Sequence, residues 1–106
     1  MMVKLRHILG EFRRGLEALY GSRLAEVVLF GSQARNDASA DSDIDVMIVL
    51  RGAVDSNKEI PRVSPLASAL SLQHDVVISC VYIAEAGFRR DESPLLLNVR
   101  REGVLV

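Results

Sequence analysis

A chain of 106 residues with 49% apolar side chains is long enough to close one hydrophobic core, so a single domain over residues 1–106 is expected, with no second domain to hold a separate substrate. A formal net charge of −1 excludes the broad basic field that draws proteins onto nucleic acid, which disfavours nucleic acid as a direct substrate. The lone Cys80 excludes an internal disulfide, and no apolar run reaches the roughly 18 residues of a membrane span, so a cytoplasmic protein without a membrane partner is expected.

Leu5, Ile8, Leu9, Phe12, Leu16 and Leu19 recur at three- and four-residue spacing, which predicts an amphipathic helix ending near Tyr20-Gly21. Gly10 and Gly15 each cost that helix about 1 kcal/mol relative to alanine, so packing must hold it in place. A strand follows from Ala25 to Phe30, then a short helix from Ser32, its natural cap, to about Asn36. Asp37 to Asp41 is small and polar and reads as a loop, and a second strand runs from Asp43 to Leu50.

Beyond Arg51-Gly52, Ser64 with Pro65 in the first turn predicts a helix to about Leu72. Ser56-x-x-Glu59 is a competing start, and a helix begun there would be kinked or ended by Pro65. His74-Asp75 opens a third strand, Asp75 to Tyr82, and Ser93-Pro94 caps a last helix that stops near Gly103. Arg13-Arg14 reads as a solvated helix face, whereas Arg89-Arg90 and Arg100-Arg101 are candidates to touch RNA or an acidic partner. The closing Val104-Leu105-Val106 has three open roles: a short strand, a cover for a sheet edge, or a contact with a partner, a second copy of the chain included. The order α-β-α-β-α-β-α gives an α/β (α+β) fold, a small mixed sheet of three or more strands with helices on one face.

The chemistry is concentrated between Val27 and Leu50. An apolar run stops at Gly31-Ser32, and a second begins inside Ser42-Asp43-Ile44-Asp45. Strand residues two apart share a face, so Asp43 and Asp45 set two carboxylates side by side at the start of an otherwise apolar strand. Two adjacent anions need a cation. Gly31-Ser32 lies where a strand gives way to a helix, and helix N-termini offer free N–H groups and partial positive charge to phosphate. One element suits Mg²⁺ and the other suits phosphate, which together suggest a site for a metal-bound nucleoside triphosphate. Should the third strand lie beside the second, Asp75, which alternates with Val77, Ser79 and Val81, joins the pair. Ser32 lacks a Gly-x-Ser-x-Gly elbow and an activating histidine, so it reads as a cap or phosphate ligand rather than a nucleophile. His74 reads as a surface residue.

The pattern Gly31-Ser32-x-Ala34-Arg35, followed by Ser42-Asp43-Ile44-Asp45-Val46, closely resembles the signature of minimal nucleotidyltransferases in the DNA polymerase beta superfamily, fixing about eight positions over about sixteen residues. It departs from that family at Asn36, where glycine is usual. The resemblance implies a nucleotidyltransferase-like fold, with Gly31 and Ser32 on the triphosphate of ATP and Asp43 and Asp45 on two Mg²⁺ ions. It also implies a third carboxylate on a neighbouring strand that completes the acceptor-side metal and helps take the acceptor's proton, for which Asp75 is the candidate. Arg35 is then a phosphate ligand or the partner of a loop aspartate.

Members of this family are often paired with a small helical HEPN toxin, and some neutralise it by attaching AMP to a tyrosine. The implied activity is therefore Mg²⁺-dependent transfer of AMP from ATP to a hydroxyl of a HEPN toxin partner, in the manner of a type VII antitoxin. Two rivals stay open. One is a non-catalytic antitoxin that acts by binding; the other is an antibiotic or small-molecule nucleotidyltransferase, disfavoured because so short a chain builds no second wall for such a substrate.

Overall fold

Apolar side chains at helical spacing wind Val3–Tyr20 into α1 and bury Leu5, Ile8, Leu9, Phe12 and Leu16, as expected, while Leu19 at the end of the series stays 49% exposed. The computed structural model describes residues 2–35 and 43–106, so Asn36, the expected loop Asp37 to Asp41, and Ser42 lie outside the described residues. After α1 come β1 (Leu24–Phe30), α2 (Gly31–Arg35), β2 (Ile44–Leu50), α3 (Ser56–His74), β3 (Ile78–Ala84), α4 (Glu85–Arg90), α5 (Pro94–Glu102) and β4 (Val104–Leu105).

The four strands form one sheet in the order β3-β2-β1-β4. β2 runs antiparallel to β1 and parallel to β3, which makes the sheet mixed. β4 adds to the other edge of β1, pairing Val28 with Leu105 and Leu29 with Val104, and the Val106 N–H donates to the Val27 carbonyl at 2.9 Å. The C-terminal tail thus adds a short strand and in doing so covers that edge of β1.

The sheet alternates cleanly along β2. Ile44, Val46, Ile48 and Leu50 pack with Leu5, Ile8, Leu9, Phe12 and Leu16 of α1 and with Val63 and Leu70 of α3. Met47 and Val49 point the other way, where they meet Val28 of β1 and Leu96 and Val99 of α5, with Phe88 of α4 alongside. The two long helices thus share one face as expected, but the second face is not bare, because α4 and α5 cover its middle. α4 was not anticipated; six residues that include Gly87 give almost no periodic signal.

α3 corrects the expected start at Ser64. The helix begins at Ser56, with Asp55 as cap accepting from the Asn57 N–H, and runs through both Pro61 and Pro65 to His74. Each proline removes one backbone donor, but Asn57 and Pro61, whose carbonyls lose a partner, are exposed and can turn to water. Burial of Val63 and Leu70 holds the opposite face. Where α3 crosses α1, a Cβ on Gly15 would lie 2.6 Å from the Leu66 side chain, so the glycine that weakens α1 in isolation admits the neighbouring helix.

Candidate active site

The turn from β1 into α2 and the start of β2 meet at one place. Phe30 and Asp45 are register partners across the antiparallel pair, so the residue after Phe30 has to pass directly over the Asp45 side chain. That residue is Gly31, with φ +72, and a Cβ there would collide with the Asp45 carboxylate. Glycine is therefore required twice, for the left-handed backbone and for the close approach. Ser32, half-buried, follows at once in the first turn of α2. The structure thus brings Gly31, Ser32 and the carboxylate pair together, as the sequence suggested.

Asp43 and Asp45 share the sheet face of Met47 and Val49, with Asp43 exposed and Asp45 half-buried. Desolvation raises the Asp45 pKa, and the negative charge of Asp43 raises it further. Among the described residues no cationic side chain pairs with either carboxylate. A pair of hard oxygen donors without a counter-ion fits a divalent cation such as Mg²⁺, which takes one or two carboxylates and fills its remaining positions with water and substrate phosphates.

The expected third carboxylate needs correction. Asp75 is not on β3. It is the C-cap of α3, exposed and in left-handed conformation (φ 54, ψ 52), with its N–H on the Ser71 carbonyl. Aspartate tolerates that conformation better than most residues, and the chain needs it to leave a helix that runs further than expected. Among the described residues no three His, Cys, Asp or Glu side chains gather where they could hold a metal ion.

The neighbour of the pair on β3 is Ser79. It is the register partner of Asp45, and its hydroxyl lies 3.3 Å from Asp43 Oδ2, placed to donate. The alternation that carried Asp75 onto the right face also carried Ser79 there; the missing information was how far along β3 the pair would fall.

Other charged residues singled out from the sequence have partners within the fold. Arg35 Nη1 lies 3.5 Å from Glu102 of α5, across a cleft of about 210 Å³ lined by Phe30, Gly31, Leu95, Asn98 and Val99. His74 Nε2 sits 3.1 Å from Glu11, which also contacts His7, so His74 pins α3 to α1 rather than standing alone on the surface. Arg100 donates to the Phe88 and Asp91 carbonyls at 2.5 and 2.6 Å, tying α5 to the end of α4, and Arg89 pairs with Glu85 one turn earlier in α4. Burial pushes the Cys80 thiol up to about 11, in keeping with a packing residue.

Comparison with known proteins agrees with this geometry. The family described as the nucleotidyltransferase domain matches residues 9–93. Two proteins of Methanocaldococcus jannaschii, each named "Putative protein adenylyltransferase" (MJ0141 and MJ0604), are similar: the first is 34% identical over 73% of this chain and 77% of its own length, the second 38% identical over 76% and 74%. The crystal structure of a toxin-antitoxin with AMP-PNP shares the fold, with a TM-score of 0.67 and 23% identity over 91% of this chain and 69% of that one. With its Gly31 turn set against an aspartate pair on such a sheet, the chain belongs to the nucleotidyltransferase domain family and is a nucleotidyltransferase.

Proposed function

We propose that the chain transfers AMP from ATP to a hydroxyl of a protein acceptor, a HEPN-type toxin whose tyrosine receives it, with Mg²⁺ required. The observation that supports this reading is the close approach of Gly31 to Asp45, which sets the turn into α2 against two carboxylates that have no cationic partner among the described residues. Asp43 and Asp45 are the residues that hold the metal, whose charge when bound offsets that of the phosphates. Gly31 and Ser32 face the triphosphate, and Arg35, at the end of the same short helix, is the cation assigned to its tail. The acceptor oxygen bonds to the α-phosphorus, the bond from that phosphorus to pyrophosphate breaks, and the hydroxyl proton is released.

Incubating the protein with Mg²⁺, ATP labelled in the α-phosphate and a co-expressed HEPN partner tests the proposal. Label should pass to the partner and be lost with Asp43→Asn or Asp45→Asn. An unlabelled but otherwise competent partner overturns it.

One observation favours a second reading. With Asp75 at a helix end, two carboxylates rather than three gather among the described residues, which leaves room for an antitoxin that neutralises its partner by binding alone. In that case Asp45→Asn still neutralises the toxin in cells; in the catalytic case it does not.

A further inference from the structure

Resting on the metal-binding role of the aspartate pair, we propose that Ser79 is a positioning residue of the site, fixing Asp43 through its hydroxyl and occupying the place on β3 from which a third ligand would reach the same cation. Three observations place it there. The parallel pairing of β2 and β3 sets Ser79 opposite Asp45, and the Ile44 N–H to Val77 carbonyl bond of 2.8 Å continues that register to the level of Asp43. Adjacent strands lie about 4.8 Å apart, whereas residues two apart along a strand are separated by about 6.6 Å, so the backbone at Ser79 is nearer to Asp45 than that of Asp43 is. The Ser79 hydroxyl, 3.3 Å from Asp43 Oδ2, is placed to donate to that oxygen and leave the other free for a cation.

A carboxylate that holds metal through one oxygen binds best when its rotation is already restricted by a neighbouring donor, and Ser79 is that donor. It does so without adding charge. An aspartate at the same position would project a third carboxylate onto the face shared with Asp43 and Asp45, which would strengthen metal binding and increase repulsion when metal is absent. The present site is therefore tuned to two anions, with an affinity for divalent cations set partly by a neutral residue.

Mn²⁺ titration followed by the electron paramagnetic resonance of the free ion tests this without relying on activity, with melting in EDTA as the control for folding. Ser79→Ala should bind Mn²⁺ about tenfold more weakly than wild type with unchanged melting in EDTA, and Ser79→Thr should restore binding. Ser79→Asp should bind at least about tenfold more tightly and melt lower in EDTA. Wild-type affinity in Ser79→Ala, Ser79→Thr as weak as Ser79→Ala, or no gain in Ser79→Asp each overturns the assignment. Asp45→Asn separates the two levels: loss of Mn²⁺ binding there with no response at Ser79 refutes only Ser79, whereas wild-type binding in Asp45→Asn refutes the metal site itself.

Discussion

At the Leu50 end of β2, Glu59 is 2% exposed and accepts hydrogen bonds from Tyr20, Arg23 and Arg62 at 2.9, 3.3 and 3.3 Å, whereas at the Ile44 end Asp43 and Asp45 share one face, with the Ser79 hydroxyl donating to Asp43. The chemical group is the same at both ends. Glu59 is a solved electrostatic problem, with two guanidiniums matching its charge and the Tyr20 phenol, raised to about 12 first by burial and then by its bond to Glu59, kept as a donor. The aspartate pair is left unsolved, and the raised Asp45 pKa records the cost. A carboxylate supplied with partners in its own fold holds helices together; a pair left without a cation is available to something from outside.

The largest effect that would break this contrast is on activity. Asp45→Asn should lower transfer about 10²–10³-fold in a labelled-ATP assay while leaving the fold intact, since the residue contributes charge rather than packing. The converse holds at the other end: Glu59→Ala should cost about 1–3 kcal/mol in urea unfolding, because the half-buried Tyr20 hydroxyl and Arg23 lose their shared acceptor, yet leave Mn²⁺ affinity unchanged. Equal responses from both variants in both assays would erase the distinction.

Mg²⁺ with ATP at a hundredfold excess over Kd should add about 2.7 kcal/mol to wild-type stability. Gly31→Ala should lose most of that gain in thermal melting and cost about 1–2 kcal/mol without ligand, since its Cβ meets the Asp45 carboxylate at positive φ. The smallest expected effect is on pH dependence. Asp45 binds its proton more tightly folded than unfolded, so its contribution to stability is fully present below the ordinary value of 3.8 and is lost as pH rises through the raised folded value. In EDTA, wild type should therefore lose stability relative to Asp45→Asn over that window, and Mg²⁺ should close the gap; parallel curves would show that neither burial nor Asp43 raises the Asp45 pKa.

Much of the site was legible because its residues are local to one β-α-β segment. Gly31, Ser32, Asp43 and Asp45 lie within one short stretch, and two-residue alternation is enough to put both carboxylates on one face. Asp75 failed as a strand residue because its assignment depended on where α3 ends. Prolines at 61 and 65 suggested a shorter helix beginning at Ser64, while burial of Val63 and Leu70 and exposure of both prolines let it start at Ser56 and continue to His74, turning Asp75 into a helix cap. Glu59 was seen only as half of a capping box; its partners Tyr20 and Arg23 are more than 35 residues away in sequence, so nothing nearby announced the network.

The sequence by itself determined the order of helices and strands apart from α4 and β4, the two faces of β2 and the pairing of a glycine turn with two acids, because periodicity and backbone preference act over a few neighbouring residues. Tertiary structure alone decided that Ser79 rather than Asp75 stands beside those acids, that the C-terminal tail adds to β1, and that α5 covers the second face. Those outcomes depend on strand register and on packing between distant segments, where a shift of a few residues changes which side chain arrives at the site while the local pattern stays the same.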